Sequence, residues 1–150
     1  RERSPMAHYS HILLAVDLSN EAGQVAERGQ RLSELYDATL SIVHVIEPVS
    51  YTYGGDIPLD FSGIQEEIQQ QAQLRLDELA ESMGIPAGNR HLLMGRPETE
   101  IHNVAEEIGA DLIVVGSHGR HGLALIFGST ANGVLHGATC DVLAVRVRQP

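Results

Sequence analysis

His11-Ile12-Leu13-Leu14-Ala15-Val16-Asp17 is the stretch that decides the fold class. A short, unbroken apolar run of this kind is typical of a strand buried on both faces of a parallel sheet. Ser19 follows as a predicted cap, and apolar residues then recur at helical spacing. Those residues are Ala22, Val25, Ala26, Leu32 and Leu35. A buried strand followed by an amphipathic helix indicates a βαβ unit.

The same alternation continues to the end of the sequence and predicts an α/β fold. A long loop is expected from Glu47 to Ser62 and an irregular glycine-rich segment from Gly116 to Phe127. Further strands are predicted over Leu40 to Ile46, Arg90 to Met94, Leu112 to Val115 and Val142 to Val147. The predicted helices are one bearing Ile64, Ile68, Ala72, Leu79 and Met83, one from Pro97 to Gly109, and one from Gly128 to Gly137 capped by Ser129.

Length and composition favour one domain over residues 6–150, in a chain of 150 residues that is 43% apolar and 20% charged. Arg1 to Pro5, ahead of Met6, is interpreted as vector-derived. Cys140 is the one cysteine, so no intrachain disulfide can form. The start of the chain has no apolar signal segment, and no apolar run reaches the roughly 18 residues of a membrane span. We therefore predict a cytoplasmic protein without membrane insertion.

The charge balance narrows the function classes further. A formal net charge of −10 argues against nucleic acid or an anionic membrane as partner, because both require a basic face. The sequence contains no lysine, which excludes a Schiff-base lysine and the lysine of a P-loop. Efficient γ-phosphate transfer therefore has little support, and we predict no catalytic residues.

The glycine-rich third of the chain is the candidate binding segment. Val115-Gly116-Ser117-His118-Gly119-Arg120-His121-Gly122 follows an apolar strand, and Gly128-Ser129-Thr130-Ala131-Asn132 opens a helix. Backbone N–H groups at a helix start favour phosphate, and glycines let the backbone approach an anion closely. The spacing is neither Gly-x-Gly-x-x-Gly nor a P-loop, so neither flavin nor NAD is expected. The alternative is that the glycines only form a tight turn.

Four separated segments resemble the universal stress protein family from about His8 to Arg148. They are His11 to Ser19, His44-Val45-Ile46, Asp111 to Arg120, and Gly128 to Asn132 continuing through Cys140 to Arg146. The ATP-binding members carry Gly-x-x-Gly, nine residues, then Gly-Ser or Gly-Thr. This chain has eight residues between Gly119 and Gly128-Ser129. It resembles the founding, non-ATP-binding branch in its first half and the ATP binders in its last third.

The resemblance implies the strand order 3-2-1-4-5 and a fold like that of the adenine nucleotide alpha hydrolases. It also implies ATP, or AMP or ADP, as ligand. Asp17 would lie by the ribose and phosphates, and the Val45 backbone would meet the adenine. A carboxylate at the end of the first strand can accept ribose hydroxyls or hold Mg²⁺, and the alternative is that Asp17 caps the following helix. Arg120 is a phosphate candidate because its charge persists. The remaining implied contacts are Ala15, Val115, Gly116, Gly119, Gly128, Ser129, Thr130 and Ala131.

Three functions remain open at this point. The first is reversible adenine-nucleotide binding in a signalling or adaptor protein of the stress response. The second is a dimeric interaction module that binds no nucleotide, and the third is an enzyme that uses ATP for adenylylation. In each case a homodimer is expected through the last strand, Val142 to Val147, because an apolar edge strand without proline invites pairing with a second copy.

Overall fold

The computed structural model describes residues 9–48, 62–117 and 129–148. Helices and strands alternate along these ranges as the sequence predicts. The strands are β1 (His11–Ala15), β2 (Thr39–Ile46), β3 (Arg90–Met94), β4 (Leu112–Ser117) and β5 (Asp141–Arg146). The helices are α1 (Ala22–Tyr36), α2 (Ser62–Ser82), α3 (Pro97–Ile108) and α4 (Ser129–Gly137), with a 3-10 turn at Ala87–Asn89.

The described strands form one parallel sheet with the order β3-β2-β1-β4-β5. The predicted fold class and strand order are therefore confirmed. β1 is central: Ala15 is paired with Val43 of β2 on one side and with Val115 of β4 on the other. The chain passes from β1 through α1 to β2, whereas β4 joins the opposite side of β1 much later in the sequence.

Two apolar cores cover the two faces of the sheet because alternate strand residues point in opposite directions. The first core joins Leu14 and Val114 to α1 and α2. The second joins Leu13 and Ile113 to α3 and α4. The inner strands β1, β2 and β4 are thus buried on both faces, which accounts for their unbroken apolar runs.

Several apolar helix residues that the sequence predicts as buried are exposed instead. Leu35 is 74% exposed, Ile64 52% and Ile68 39%. For α2 the reason is its length. Arg75 lies beside the first turn of α1, and α2 begins at Ser62, roughly 20 Å earlier at a rise of 1.5 Å per residue. The first half of α2 therefore extends past the layer against which its second half packs.

The strand and helix ends differ slightly from those expected. β4 continues two residues past the predicted end at Val115, to Ser117. β5 begins and ends one residue earlier than predicted. Ser129 is the first residue of α4 rather than its cap. Ends of elements commonly move by one or two residues, but the extension of β4 matters for the site. Among the described helices, none is both long and apolar enough to cross a membrane.

Candidate functional site at the carboxyl edge

β1 ends before its two neighbouring strands do, so their carboxyl ends extend beyond it. The last paired residue of β1 is Ala15, whereas β2 continues to Ile46 and β4 to Ser117. We call the resulting gap in the sheet, above Ala15 and between residues 44–46 and 116–117, the carboxyl-edge notch. It lies where the strand order reverses direction, the position at which open α/β sheets bind their ligands.

Backbone groups of β2 point toward this notch. The Val43 carbonyl accepts a hydrogen bond from the Val16 N–H at 3.0 Å, so Val43 faces β1. The Ile46 carbonyl accepts from the Gly95 N–H at 2.9 Å, so Ile46 faces the β3 side. Because the backbone groups of a strand alternate in direction, Val45 has the same orientation as Val43. Its N–H and C=O are therefore directed toward the notch.

The same reasoning applies to β4 on the other side. The Ser117 carbonyl accepts from the Val147 N–H at 3.2 Å, so Ser117 faces β5. Its neighbour Gly116 consequently directs its backbone groups toward β1. The pairing of Ala15 with Val115 takes the Gly116 N–H to the Ala15 carbonyl, so only the Gly116 carbonyl remains. The notch thus has the N–H and carbonyl of Val45 on one side and the carbonyl of Gly116 on the other.

Asp17 lies in the turn that follows β1, at the rim of the notch. Its side chain is exposed, and Oδ1 accepts a hydrogen bond from the Ser19 N–H at 2.9 Å. Leu18 between them has a φ of 59°, a left-handed conformation that costs a non-glycine residue about 1 kcal/mol or more. The predicted cap Ser19 is wrong, because α1 begins at Ala22 with Glu21 as its N-cap and no side-chain cap bond. The side chain that bonds to the backbone of this turn is instead that of Asp17, two residues before Ser19.

His44 connects β2 to the same turn. Its Nδ1 donates to the Val16 carbonyl at 2.8 Å. Burial lowers its pKa, and the bond to Val16 and the nearby Asp17 carboxylate oppose that shift. Sequence reasoning missed its position beside Asp17. The signal available was that His44 directly precedes Val45, the residue expected at the adenine.

Gly116 is explained by packing rather than by a left-handed turn. It is paired with Val145 in the sheet, and its φ is not positive. A Cβ added there would lie 2.9 Å from Val25 Cγ2 and 3.3 Å from Val147 Cγ2. The missing side chain therefore lets α1 and the end of β5 approach β4 closely. Gly116 is required by the first core whether or not a ligand meets its backbone.

The other predicted site residues divide into three groups. Those with apolar side chains are buried in the second core just below the notch, so that only their backbones remain for a ligand. Thr130 is half-buried, and Ser129 begins α4. Gly119, Arg120 and Gly128 lie outside the described residues. The buried residues are Ala15, Val45, Val115 and Ala131.

Metal binding at this edge would rest on Asp17. Within the described ranges, no three or more His, Cys, Asp and Glu side chains are arranged to hold a metal ion. Mg²⁺ commonly takes one or two protein carboxylates and completes its shell with water and phosphate oxygens. One carboxylate at the rim therefore fits a magnesium ion carried by a nucleotide.

Comparison with known proteins agrees with this architecture. The family model described as the universal stress protein family matches residues 8–146. The chain belongs to that family. Universal stress protein A homolog 1 of Coxiella burnetii is 42% identical over 144 residues, which span 95% of this chain and 99% of the relative. The resemblance seen in the four sequence segments is thereby confirmed, and the chain is a member of a stress-response family.

Solved structures of universal stress proteins share the fold. A family member from Burkholderia pseudomallei is 26% identical with a TM-score of 0.69, covering 94% of this chain and 98% of that chain. A universal stress protein in complex with cAMP is 22% identical with a TM-score of 0.60, covering 93% and 98%. Both likenesses extend over nearly the whole of each chain.

Proposed function

We propose that this universal stress protein reversibly binds an adenine nucleotide, ATP with Mg²⁺ or its relatives AMP and ADP, in the carboxyl-edge notch. The observation that carries the proposal is the early end of β1 between β2 and β4, at the switch point of the sheet. That arrangement offers a backbone donor and acceptor on the β2 side, a backbone acceptor on the β4 side and a carboxylate at the rim. The bound nucleotide would act as a signal, with slow hydrolysis at most.

The chemistry of the notch fits a nucleotide in two respects. Backbone groups at Val45 can pair with the edge of a purine, and the Asp17 carboxylate can accept from ribose hydroxyls or hold Mg²⁺. A relative with the same fold binds an adenine nucleotide, cAMP, which supports this ligand class. The predicted phosphate contacts at Gly119, Arg120, Gly128, Ser129 and Thr130 remain part of the proposal.

A divalent cation is expected to be essential for ATP. The protein carries a net charge of −10 and no lysine, and Asp17 adds a negative charge at the rim. A triphosphate brought to this edge without a cation would meet like charge. Mg²⁺ held by Asp17 would offset that repulsion with its positive charge.

Calorimetric titration of ATP, ADP and AMP, with Mg²⁺ and with EDTA, tests the proposal. Asp17→Asn should weaken Mg·ATP binding by roughly tenfold or more, because it removes the carboxylate. Asp37→Asn is the matched control: it removes one charge at the opposite edge of the sheet, and asparagine accepts the left-handed φ of 55° there. Equal affinity with Mg²⁺ and EDTA, or equal losses in both variants, would contradict the role given to Asp17.

The competing functions are separated by the same protein preparation. No binding at millimolar Mg·ATP would refute the nucleotide proposal and favour the dimeric interaction module. Substrate-dependent release of AMP would instead indicate the adenylylating enzyme. The cytoplasmic location belongs to the proposal as well, and fractionation of cells producing the protein tests it.

We also propose a homodimer formed through β5, an edge strand of the described sheet. The Val147 N–H points to β4, and the direction of the backbone groups alternates along the strand. The even-numbered residues Val142, Ala144 and Arg146 therefore direct their backbone groups away from β4, toward the open edge. An antiparallel pairing centred on Ala144 would let these residues bond to the same residues of a second copy. The partner strand would then cover an edge that otherwise invites aggregation.

A further inference from the structure

Both backbone polar groups of Val16 are held by consecutive residues of β2. Its N–H donates to the Val43 carbonyl at 3.0 Å, and its C=O accepts from His44 Nδ1 at 2.8 Å. Val16 is 7% exposed and lies one residue past the end of β1. It is therefore the last position of this chain segment that the sheet fixes before the turn begins.

The His44 ring bonds to the oxygen that the next hydrogen bond of the β1–β2 ladder would use. In a regular parallel ladder the Val45 N–H would donate to the Val16 carbonyl. A side-chain donor on that carbonyl satisfies the oxygen without requiring the next rung, so β1 can leave the sheet at this point. His44 thus satisfies the Val16 carbonyl in place of the Val45 N–H and supports the early end of β1.

The turn beyond Val16 is strained and needs fixed ends. Leu18 has its left-handed φ of 59°, and such a residue persists only where its surroundings over-determine it. The Asp17 Oδ1 to Ser19 N–H bond at 2.9 Å holds the far side of the turn. The His44 bond to Val16 holds the near side. Asp17 lies between these two restraints.

We infer that His44 is a positioning residue of the nucleotide site: by holding the Val16 carbonyl it fixes the turn that presents Asp17 to the Mg·nucleotide. The inference rests on the proposed function for its ligand, and on the described hydrogen bonds for its geometry. His44 acts through Val16 and needs no contact with the nucleotide. Partners of this indirect kind typically contribute 10- to 100-fold to metal affinity.

Three substitutions separate the hydrogen bond from the bulk of the ring. The Val16 oxygen can only accept, so Nδ1 carries the proton. Asparagine places an amide N–H near the Nδ1 position, and His44→Asn should retain most of the affinity. Leucine fills a similar volume without a donor, and His44→Leu should weaken Mg·ATP binding roughly 10- to 100-fold. His44→Gln keeps the polarity but displaces the donor, and should behave like the leucine variant.

His91→Leu is the matched control. His91 is a half-buried histidine of β3, near the opposite edge of the sheet, and its buried Nε2 finds no hydrogen-bond partner among the described residues. Its replacement should leave Mg·ATP affinity unchanged. All variants are compared by calorimetry at the same folded fraction, measured by circular dichroism.

A second readout requires no nucleotide. The Ser19 amide is bonded to Asp17 within the same turn, so its hydrogen exchange reports the geometry of the turn directly. In His44→Leu this amide should exchange at least tenfold faster than in the wild type, whereas in His44→Asn and His91→Leu it should not.

The outcomes decide the two ideas separately. Wild-type protein that binds no Mg·ATP refutes the proposed function, and the Ser19 amide then decides the positioning role alone. Wild-type protein that binds, together with unchanged affinity in His44→Leu and His44→Gln, overturns the inference while the proposed function stands. An equal loss in His44→Asn and His44→Leu also overturns it, because the hydrogen bond would then be irrelevant. If His44→Leu fails to fold, the comparison of His44→Asn with His44→Gln carries the test.

Discussion

Replacing Gly116 by alanine should destabilise the protein without acting on the ligand directly. Gly116 lies in β4, and a Cβ there would be 2.9 Å from Val25 Cγ2 and 3.3 Å from Val147 Cγ2. Carbon atoms in ordinary contact are 3.5–4.0 Å apart. The new methyl group would therefore have to displace α1 from the sheet by roughly half an ångström or more.

The size of the effect follows from two opposing contributions. Overpacking a tight core by one methyl group costs about 1–3 kcal/mol. Removing a glycine from a strand returns about 0.5–1 kcal/mol, because alanine loses less backbone entropy on folding. Val25 is 4% exposed and β-branched, so its methyl group cannot rotate away easily. We expect Gly116→Ala to lower the free energy of unfolding by about 1–2 kcal/mol.

Urea unfolding of a double-mutant cycle provides the assay. Val25→Ala removes the contacted methyl group and should cost about 2 kcal/mol alone, as a buried truncation. Combined with Gly116→Ala it should cost about 1 kcal/mol less than the sum, because the clash disappears. Additivity within about 0.5 kcal/mol would refute the packing explanation.

The same variants distinguish packing from ligand contact at Gly116. The added methyl group points into the first core, so nucleotide affinity of the double variant should stay within about threefold of the wild type at equal folded fraction. Loss of affinity despite restored stability would show that a nucleotide requires the bare glycine backbone.

Two further predictions concern the edge strand and pH. The Ala144 N–H points away from β4, so Ala144→Pro should dissociate the proposed homodimer in light scattering while the monomer stays folded. The Val145 N–H points toward β4, so Val145→Pro should unfold the protein. A dimer that survives Ala144→Pro would refute pairing through β5. Burial and the nearby His11 lower the pKa of His91 below 6.5 in the folded state, against the opposing Glu107 carboxylate. The unfolded chain then binds the proton first, so stability should be full above about pH 7 and fall as pH drops through 6.5. Urea unfolding between pH 7.5 and 5.5 should show a shallower fall in His91→Leu, and an identical slope in both proteins would refute this role.

The sequence predicts the inner strands well because β1, β2 and β4 bury both faces. An unbroken apolar run such as Ile12 to Val16 leaves little choice of element, and the order of strands follows from the family resemblance. The end of β4 was harder to predict, because Gly116 interrupts the apolar run and resembles the start of a loop. Its extension to Ser117 depends on a partner in β5, which lies much later in the chain.

The side chains of the site were only partly predictable. Asp17 was found from the family resemblance, with which its place after a strand agrees. The positioning role proposed for His44 depends instead on a hydrogen bond across two strands. The exposure of Ile64 and Ile68 could not be predicted from their spacing, because spacing says which face of a helix is apolar and not how far its neighbours extend.

The central position of β1 has a consequence for protein synthesis. His11 and the Asp111 carboxylate that accepts its N–H are separated by 100 residues in the chain. At translation rates of about 5–20 residues per second, β1 waits roughly 5–20 s for the strand that completes its second side. During that interval Ile12, Leu13 and Leu14, none of which is exposed in the finished sheet, have partners on one side at most. The nascent chain is thus most vulnerable to aggregation before β4 leaves the ribosome. Synonymous codon changes that slow translation between residues 90 and 112 should lower the soluble yield, and the stability of the finished protein should stay the same.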